Sequence, residues 1–398
     1  MGNRIRVVHL INSFEFGGAE AMLCNLLLRS DRERFDLHVV SLIDDLRVAG
    51  PIIDAGIPIE TMGMKPGVPS PAAVLRLVRY LRRLRPDVIQ TWMDHSNLIG
   101  GIAGRCVHGT KVVWGIHHSN HVPGLTKRST LLTVRACGML SRRVPARIIC
   151  CSEHARSMYA ARGFANEKIT VIPNGFDTDR FRPDQDAALA VRAELGLSPS
   201  TPIVGLVARY DPLKDHATFI RAAGLLHAAI PQVHFLMCGD KVDGNNITLA
   251  EQIQSHGLSD VFHLLGPRRD VPRIFAALDI ATSSSISEAF PLVVGEAMSC
   301  GVPCVATDVG DSSLMIGTTG RIVPPSNPAA LAAAWTELLR MDPATRARLG
   351  AESRRRVREL FNLDAVTHRY EAIYQELAGP KEPVTVAMAR KVACDTGF

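Results

Sequence analysis

Two carboxylates lie around the start of a short apolar run in the second half of the chain. Glu288 precedes this run and Glu296 falls inside it, eight positions later, within the segment SISEAFPLVVGEAMSCGVPCVAT. Ionised carboxylates accept hydrogen bonds and donate none, so such a pair suits the binding of sugar hydroxyls. Taken alone, the pair is equally consistent with a helix cap and an acid on a solvated helix face. What the helix faces therefore decides between the two interpretations.

A helix is predicted for PLVVGEAMSC, with Pro291 in its first turn and Gly301 just past its end. The loop ISEAF joins this helix to a predicted strand, DIATSSS. The first amides of the helix, those of Leu292 and Val293, then point at the edge of the strand and favour an anion. A phosphate site with neighbouring acids that accept hydroxyl groups fits a sugar nucleotide.

Two cations follow an earlier predicted strand. In VARYDPLKDHATFIRAA, Arg209 ends the strand and Lys214 comes just before a helix. At the carboxyl edge of a parallel sheet, a guanidinium fork and an ammonium group together neutralise a diphosphate. An isolated Arg-x4-Lys is ordinary surface charge, but the acidic loop in the same half of the chain favours a functional interpretation.

The elements that position these residues alternate between strand and helix, which is typical of parallel α/β architecture. Several strands are continuous runs of Val, Ile and Leu, as expected for strands covered on both faces. Two doubly wound domains that face each other leave a cleft between the carboxyl edges of their sheets, where such folds bind ligands. The predicted strands are, in the first half, IRVVHLI, LHVVSL, IPIETM, DVIQTW, KVVWGI, RIICCS and ITVIP, and in the second half IVGLVAR, VHFLMCG, VFHLLG, IATSS, PCVAT and GRIVPP.

The domain boundary is predicted in a Pro/Asp/Gly-rich segment that begins near residue 173. We assign residues 1–172 to a first Rossmann-like domain and 173–362 to a second. Residues 363–378 are expected to form a helix that packs back on the first domain. Residues 379–398 are expected to be a loose tail.

Composition indicates an ordinary soluble globular protein, with 398 residues of which 46% are hydrophobic and 21% charged. No apolar run reaches the roughly 18 residues of a membrane-spanning helix. The start, MGNRIRVVHLIN, is interpreted as a first strand and not as a signal peptide. The nine cysteines show no zinc-ligand spacing. Cys150 and Cys151 are expected to be buried free thiols, which favours the reducing cytoplasm.

Positive charge is concentrated in the first half of the chain. Residues 1–170 carry 23 Lys+Arg and 13 Asp+Glu, a net +10 in a chain whose total is +6. This asymmetry suggests that one half meets an anionic surface. The segment RLVRYLRRLR, from Arg76 to Arg85, has a leucine stripe at helical spacing with arginines around it. It lacks the aromatic set of a nucleic-acid surface. A solvated helix and a peripheral contact with an anionic leaflet, without insertion, both fit it.

Six segments in consecutive order resemble the motifs of family-4 glycosyltransferases, which are retaining enzymes of the GT-B fold. The resemblance extends from about Ile5 to Leu377. It implies sugar transfer from a nucleotide-diphospho-sugar to a glycan or lipid-linked acceptor. Four segments are IPNGFDTDRFRP, VARYDPLKDHATFIRAA, LLGPRRDVPRIFAALDI and SEAFPLVVGEAMSCGVPCVATDVGD, while FGGAEAMLCNLL and QTWMDHSNLIGGIAG match the branch that builds bacterial surface polysaccharides such as O-antigen, capsule and exopolysaccharide.

The resemblance assigns the donor to the second domain and the acceptor to the first. It implies that Arg209 and Lys214 hold the diphosphate and stabilise it as it leaves. It also implies that Glu288 binds the transferred sugar and Glu296 the ribose, while the base lies near GPRRDV. The other implied donor contacts are Gly17, Gly18, Arg269, Val271, Phe290, Leu292 and Val293.

A histidine is expected beside the reacting sugar, because family members carry one at the end of the strand that here reads VVWGIHHSN. His117 matches this position best and completes the implied catalytic set with Glu288, Arg209 and Lys214. Related members of this branch carry arginine there, and a lone histidine at a strand end is more often structural. The acceptor-side candidates are Asp94, His95 and His118.

No metal or other cofactor is expected, because the diphosphate would be met by cations and helix amides of the protein. The pair Asp177 and Asp179 resembles the metal-binding acids of other glycosyltransferases, but it lies in the interdomain segment and is assigned to a turn or cap. Two alternatives stay open. One is a sugar-nucleotide epimerase of the same fold, and the other is a sugar-nucleotide-binding protein without catalysis.

Overall fold

The computed structural model describes residues 4–15, 17–65, 70–118 and 126–379. The predicted tail lies outside the described residues, apart from Gly379. Within these ranges, no helix combines the length and the apolar character needed to cross a membrane.

The first half of the chain forms a parallel sheet, to which the described residues contribute seven strands. In chain order these are β1 (Ile5–Ile11), β2 (Phe35–Ser41), β3 (Ile59–Thr61), β4 (Val88–Trp92), β5 (Lys111–Ile116), β6 (Arg147–Cys150) and β7 (Ile169–Val171). Their order across the sheet is β3-β2-β1-β4-β5-β6-β7. The order reverses between β1 and β4, so the carboxyl ends of these two strands open onto a crevice.

The second half forms another parallel sheet, with six strands in the part of the chain described. These are β8 (Ile203–Val207), β9 (His234–Cys238), β10 (Phe262–Leu264), β11 (Ile280–Ser283), β12 (Cys304–Thr307) and β13 (Arg321–Val323), in the order β10-β9-β8-β11-β12-β13. Here the switch point lies between β8 and β11. Each predicted strand is found, and the predicted class of two Rossmann-like domains is confirmed. β8 ends at Val207, so Arg209 belongs to the loop beyond the sheet and not to the strand.

Helices cover both sheets and carry the chain between the strands. They are α1 (Gly18–Arg29), α2 (Gly50–Asp54), α3 (Pro71–Leu84), α4 (Asp94–Arg105), α5 (Arg128–Leu140), α6 (Glu153–Ala161), α7 (Gln185–Glu194), α8 (His216–Ala229), α9 (Ile247–Ser255), α10 (Val271–Ala276), α11 (Leu292–Ser299), α12 (Ser312–Ile316), α13 (Pro328–Arg340), α14 (Pro343–Leu360) and α15 (Leu363–Ala378).

Local sequence explains where two of these helices begin. Ser70 caps α3 by accepting the amide of Ala73 at 3.2 Å, and Pro71 follows in the first turn. In α11 the prediction for Pro291 is wrong by one position. Its ψ of 99° is extended, so Pro291 is the residue before the helix, and Leu292 begins it.

The chain crosses between the two domains twice, at neighbouring points. The amide of Phe176 donates to the carbonyl of Phe361 at 2.9 Å, and the amide of Leu363 donates to the carbonyl of Phe176 at 3.2 Å. After the second crossing, α15 buries Val366, Tyr370 and Tyr374 in the core of the first domain. The first domain is therefore built from both ends of the described chain.

Candidate active site

Two loops at the carboxyl edge of the second sheet are tied together by hydrogen bonds. A 3-10 turn over Pro212–Lys214 follows β8, and a loop from Ser284 follows β11. The amide of Ile286 donates to the carbonyl of Leu213 at 2.9 Å, and the Ser284 hydroxyl donates to the carbonyl of Lys214 at 2.8 Å. These bonds fix the backbone from which Lys214 and Glu288 project.

Lys214 and Glu288 form a half-buried ion pair at this edge. The Nζ of Lys214 lies 2.5 Å from Oε1 of Glu288, and the same oxygen accepts the Ser285 hydroxyl at 2.7 Å. The structure thus brings together two of the predicted site residues, 74 positions apart in sequence. Ser285 was missed by the sequence analysis, because a serine in a serine-rich loop carries no signal of its own.

Arg209 lies at the same edge and is more exposed than Lys214. Its guanidinium donates to Oδ2 of Asp211 from Nε at 3.2 Å and from Nη2 at 3.0 Å. Asp211 also accepts the amide of Leu213 at 2.9 Å, so one carboxylate orients both the guanidinium and the turn that carries Lys214. Asp211 is a positioning residue that the sequence analysis did not identify.

The start of α11 meets the glycine pair of the first domain. Leu292 and Val293 hold the first helical positions, whose amides have no partner within a helix. A Cβ added at Gly18 would lie 3.2 Å from Cδ1 of Leu292. A side chain there would crowd the contact between the domains, which explains why glycine suits this position. The predicted contacts Gly17, Gly18, Leu292 and Val293 therefore border the cleft from opposite sides.

Glu20 is a further acid in this contact that the sequence analysis did not identify. It lies in the first turn of α1, and a Cβ at Gly17 would come within 2.2 Å of its Oε2. Burial raises the pKa of Glu20 to about 7, although the positive charge of Arg209 opposes that rise. The detectable signal was the acid in GGAE, two positions after Gly18.

Glu296 lies on α11 one turn beyond Leu292, about 6 Å further along the helix axis. Burial raises the pKa of its carboxyl group to about 7, and the nearby positive charge of Arg180 opposes this rise. Arg180 belongs to the interdomain segment. Glu296 is on the same helix as the anion-binding start, and its role in binding the ribose stays a prediction.

At the edge of the first sheet, His117 is held by an aromatic stack. Its ring lies on Trp92 with centroids 4.5 Å apart and an angle of 18°, and Trp92 Nε1 donates to His9 Nδ1 at 3.2 Å. Burial lowers the pKa of His117 to about 4, although the nearby Asn174 side chain opposes that shift. Within the described chain, no hydrogen bond of ordinary geometry reaches either ring nitrogen. His117 is therefore a neutral, rigidly placed imidazole.

The acceptor-side candidates lie in different environments. Asp94 is only 5% exposed, and its carboxylate accepts the Tyr159 hydroxyl at 3.0 and 3.2 Å. Burial raises the pKa of Asp94 to about 6. The prediction that Asp94 binds the acceptor is not supported, because its carboxylate is part of the domain core. His95 is half-buried, with Nδ1 3.3 Å from the Thr133 hydroxyl, and His118 is half-buried at the end of β5.

Phe290, which the resemblance implies as a donor contact, has a buried side chain. Its ring stacks on Phe176 at 6.1 Å and packs against Phe361 at 5.4 Å, in the crossing between the domains. The apolar ring is buried there because both crossing segments supply aromatic partners.

Near the predicted base site, Arg269 is exposed. Val271 is half-buried and is the first residue of α10.

Asp311 joins the two domains directly. Its carboxylate accepts the amides of Glu153 at 2.9 Å and His154 at 3.0 Å, at the start of α6 in the first domain. Its own amide donates to the carbonyl of Ala289, beside Glu288. Gly310, with φ +57°, allows the tight turn, since a Cβ there would lie 2.4 Å from the carbonyl oxygen of Glu288.

Asp177 performs the turn duty predicted for it. Its Oδ1 accepts the amides of Asp179 at 3.1 Å and Arg180 at 3.0 Å, and its Oδ2 pairs with Arg29 at 2.9 Å.

Cys150 and Cys151 are buried free thiols, as predicted.

Two parallel-sheet domains that meet across a cleft, with the polar residues of each at its carboxyl edge, define the GT-B fold. Residues 16–180 match the family model described as Glycosyltransferase Family 4, and residues 201–341 match the one described as Glycosyl transferases group 1. The chain belongs to the family-4 glycosyltransferases.

Similar proteins agree with this assignment. The UDP-Gal:alpha-D-GlcNAc-diphosphoundecaprenol alpha-1,3-galactosyltransferase of Escherichia coli is 26% identical over 61% of this chain, and the chain spans 63% of its length. The putative glycosyltransferase EpsF of Bacillus subtilis (strain 168) is 24% identical over 76% of this chain and 79% of its own. The crystal structure of Anabaena Alr3699/HepE in complex with UDP and glucose has a TM-score of 0.82 at 23% identity, covering 93% of this chain and 99% of that one.

Proposed function

We propose that this chain is a retaining glycosyltransferase that moves a sugar from a nucleotide-diphospho-sugar to a glycan or lipid-linked acceptor, without a metal ion. The observation that carries this proposal is the fixed Lys214–Glu288 pair beside the start of α11, opposite Gly18 of the first domain. A cation, an acid and helix amides converge there on a cleft between two domains.

The cations of the second domain would stabilise the diphosphate as it leaves. Arg209 offers a planar fork and Lys214 a point charge, and the first amides of α11 add hydrogen-bond donors. Because Asp211, Ser285 and the loop bonds hold these groups in place beforehand, little reorganisation is needed when charge develops on the leaving oxygen. This arrangement is the basis for expecting activity without a metal.

Glu288 would accept hydroxyl groups of the transferred sugar while staying paired with Lys214. Its acceptor-only carboxylate is already shared with two donors, which suits orientation better than attack on the sugar carbon. His117 is neutral and stacked on Trp92 just past the end of β5, and it would bond the sugar from the first domain once substrate binding uncovers its ring nitrogens, which are buried in this structure. Retention would then follow from attack by the acceptor on the face that the diphosphate leaves, through an oxocarbenium-like state.

The relatives suggest which substrates to test first. The HepE structure is described as a complex with UDP and glucose, and the E. coli relative is named for a UDP-galactose donor and a diphosphoundecaprenol-linked acceptor. We therefore propose a uridine donor and a polyprenyl-diphosphate-linked sugar as the leading substrate pair, with a role in surface-polysaccharide synthesis.

Incubation with labelled UDP-, GDP- and ADP-sugars, with and without lipid-linked acceptors and in the presence of EDTA, tests this proposal. A transferase forms a labelled lipid-linked product only with acceptor present, and product analysis shows an unchanged anomeric configuration. An epimerase converts the sugar nucleotide without acceptor, and a pure binding protein turns over neither. Activity that is lost in EDTA and restored by Mg²⁺ or Mn²⁺ would contradict metal independence.

A further inference from the structure

Three adjacent helices of the first domain lie in a stretch of sequence that is strongly basic. From residue 61 to residue 152 the chain holds 14 Lys+Arg but two acids, Asp87 and Asp94. Asp94 is buried, and Asp87 accepts the backbone amide of Arg6 at 2.7 Å. α4 packs against both α3 and α5, so these helices form one continuous layer. The outer surface of this layer attracts anions.

α5 adds exposed apolar side chains to this basic layer. Leu132 is 67% exposed and Met139 is 70% exposed, and both alternate with exposed arginines along one side of the helix. We call this side the α5 face; it consists of Arg128, Leu131, Leu132, Arg135 and Met139. Arg128, Leu132, Arg135 and Met139 are spaced by four, three and four residues and so lie on one stripe, with Leu131 at its edge.

The opposite side of α5 is an ordinary core surface. Val134 and Cys137 are buried there, in the cluster that also contains Tyr159 and Phe164. The apolar residues of the α5 face are therefore not needed to attach the helix to its domain. A large exposed leucine and methionine framed by arginines are typical of helices that lie in the interface of a lipid bilayer.

The α5 face is also placed on the acceptor side of the cleft. α5 is the helix that follows β5, whose end carries His117 and His118. The Thr133 hydroxyl, on α5, lies 3.3 Å from Nδ1 of His95. A surface bound through α5 would thus lie beside the candidate acceptor residues.

We propose that the α5 face docks on an anionic lipid bilayer, with Leu132 and Met139 entering the interface and the arginines binding lipid phosphates. The proposal deepens the function proposed above and rests on its lipid-linked acceptor. It differs from a purely electrostatic contact through α3. On α3, Arg76 donates to the carbonyl of Met62, and Arg82 donates to the carbonyl of Cys106 at 3.1 Å, so both guanidinium groups have backbone partners.

Sedimentation with vesicles tests the docking without any sugar nucleotide. The probes are phosphatidylcholine vesicles and vesicles of equal parts phosphatidylcholine and phosphatidylglycerol. Wild-type protein should bind the anionic vesicles, and high salt should weaken this binding without abolishing it, because the apolar contacts are not screened. The double variant Leu132→Ser/Met139→Ser should weaken binding by at least about tenfold. The matched control is Leu225→Ser/Ile247→Ser, which changes two exposed apolar residues of the second domain.

A tryptophan reporter tests insertion directly. Trp92, Trp114 and Trp335 are fully buried, so they form a constant background. In a Leu132→Trp variant, emission should shift to the blue on anionic vesicles, and lipids with brominated acyl chains should quench it. An Ile247→Trp variant should show neither change.

Transfer assays separate this proposal from the proposed function. The Leu132→Ser/Met139→Ser variant should keep transfer to a water-soluble acceptor analogue and lose at least about tenfold with a lipid-linked acceptor in vesicles. If neither the wild-type protein nor the variant transfers sugar to any acceptor, the proposed function fails. The docking proposal is then judged by the vesicle-binding results alone. Three results would overturn the docking: wild-type protein that ignores anionic vesicles, binding unaffected by the double serine variant, or a wild-type dimer that this variant dissociates.

Discussion

The carboxyl edges of the two sheets face the same cleft but are built from different chemistry. At the edge of the second sheet, Lys214, Glu288 and Ser285 are bonded to one another. At the edge of the first, His117 is held by a flat contact with Trp92. We infer that the second edge is preorganised for the diphosphate of the donor, whereas the first edge holds a buried imidazole in place against an aromatic ring.

The largest expected effect comes from removing the cation of the second edge. Lys214→Ala should lower kcat by about a hundredfold, because one preorganised group that stabilises the leaving diphosphate is lost. Steady-state kinetics with saturating donor would measure this. Lys111→Ala, at an exposed lysine at the start of β5, is the control and should leave kcat unchanged.

A double-mutant cycle with Glu288→Gln sharpens this prediction. Because Lys214 and Glu288 are paired at 2.5 Å, the effects of the two changes should not add. Additive effects, or a Lys214→Ala variant with wild-type kcat, would show that the pair does not act as a unit in catalysis.

The expected effect is smaller at the first edge. His117→Ala should lower kcat by about tenfold, the cost of a lost hydrogen bond to the sugar, with unchanged affinity for the nucleotide alone. Since burial lowers the pKa of His117 to about 4, the ring is neutral near pH 7, and the wild-type and His117→Ala rate profiles should have the same shape near the usual histidine pKa of 6.5, including any step from the carboxyl groups of Glu20 and Glu296, whose pKa values are about 7. A pH–rate profile and nucleotide titration would measure both. A loss of nucleotide affinity equal to the loss of rate would contradict the division between the two edges.

Asp311 connects the edges, and its removal should have a moderate effect on both stability and kinetics. Asp311→Asn weakens a charged cap on α6, which should cost about 1 kcal/mol of the free energy of unfolding. It should also raise the donor KM severalfold, because the loop of Glu288 loses its tie to the first domain.

Asp342 offers a matched control for that experiment. Its carboxylate caps α14 within the second domain by accepting the amide of Thr345 at 2.9 Å. Asp342→Asn should lower the melting temperature similarly but leave the donor KM unchanged. If both variants behave alike in kinetics, the interdomain position of Asp311 has no special consequence.

The smallest expected effect is the pH dependence of Glu296. Its pKa in the folded protein, about 7, lies above the ordinary 4.5, so the folded state binds more protons between these values and stability falls as pH rises through them. Glu296→Gln removes this loss. The melting temperature of this variant minus that of the wild type should therefore be about 2–4 °C larger above pH 7 than at acid pH. An exposed control, Glu352→Gln, should show no such trend. A constant difference across the pH range would contradict the burial of the charge.

Sequence patterns predicted the fold better than the chemical environment of single residues. Runs such as KVVWGI are confirmed as strands because burial on both faces leaves a local, apolar signature. Lys214 and Glu288 were identified separately, since each follows a strand, but their pairing with Ser285 depends on how two loops pack.

Residues whose role depends on distant partners could not be predicted. Asp94 was placed on the acceptor side because it follows a strand, and Phe290 was implied as a donor contact by the resemblance, yet Tyr159 and Phe361 pack against these buried side chains. Asp311 was missed because its partners, the amides at the start of α6, lie more than 150 positions away and carry no side-chain signature. The exposed Leu132 and Met139 were missed for the same reason, since only the packed helix shows which side is outward.

The central claim is that the second edge binds the diphosphate of the donor through Arg209 and Lys214. Calorimetric titration with UDP, GDP and ADP and with the matching nucleosides tests it most directly. One nucleoside diphosphate should bind far more tightly than its nucleoside, and the Arg209→Ala/Lys214→Ala double variant should lose most of that difference while still binding the nucleoside. A diphosphate that binds no better than its nucleoside, or a double variant with unchanged affinity for the diphosphate, would contradict the account.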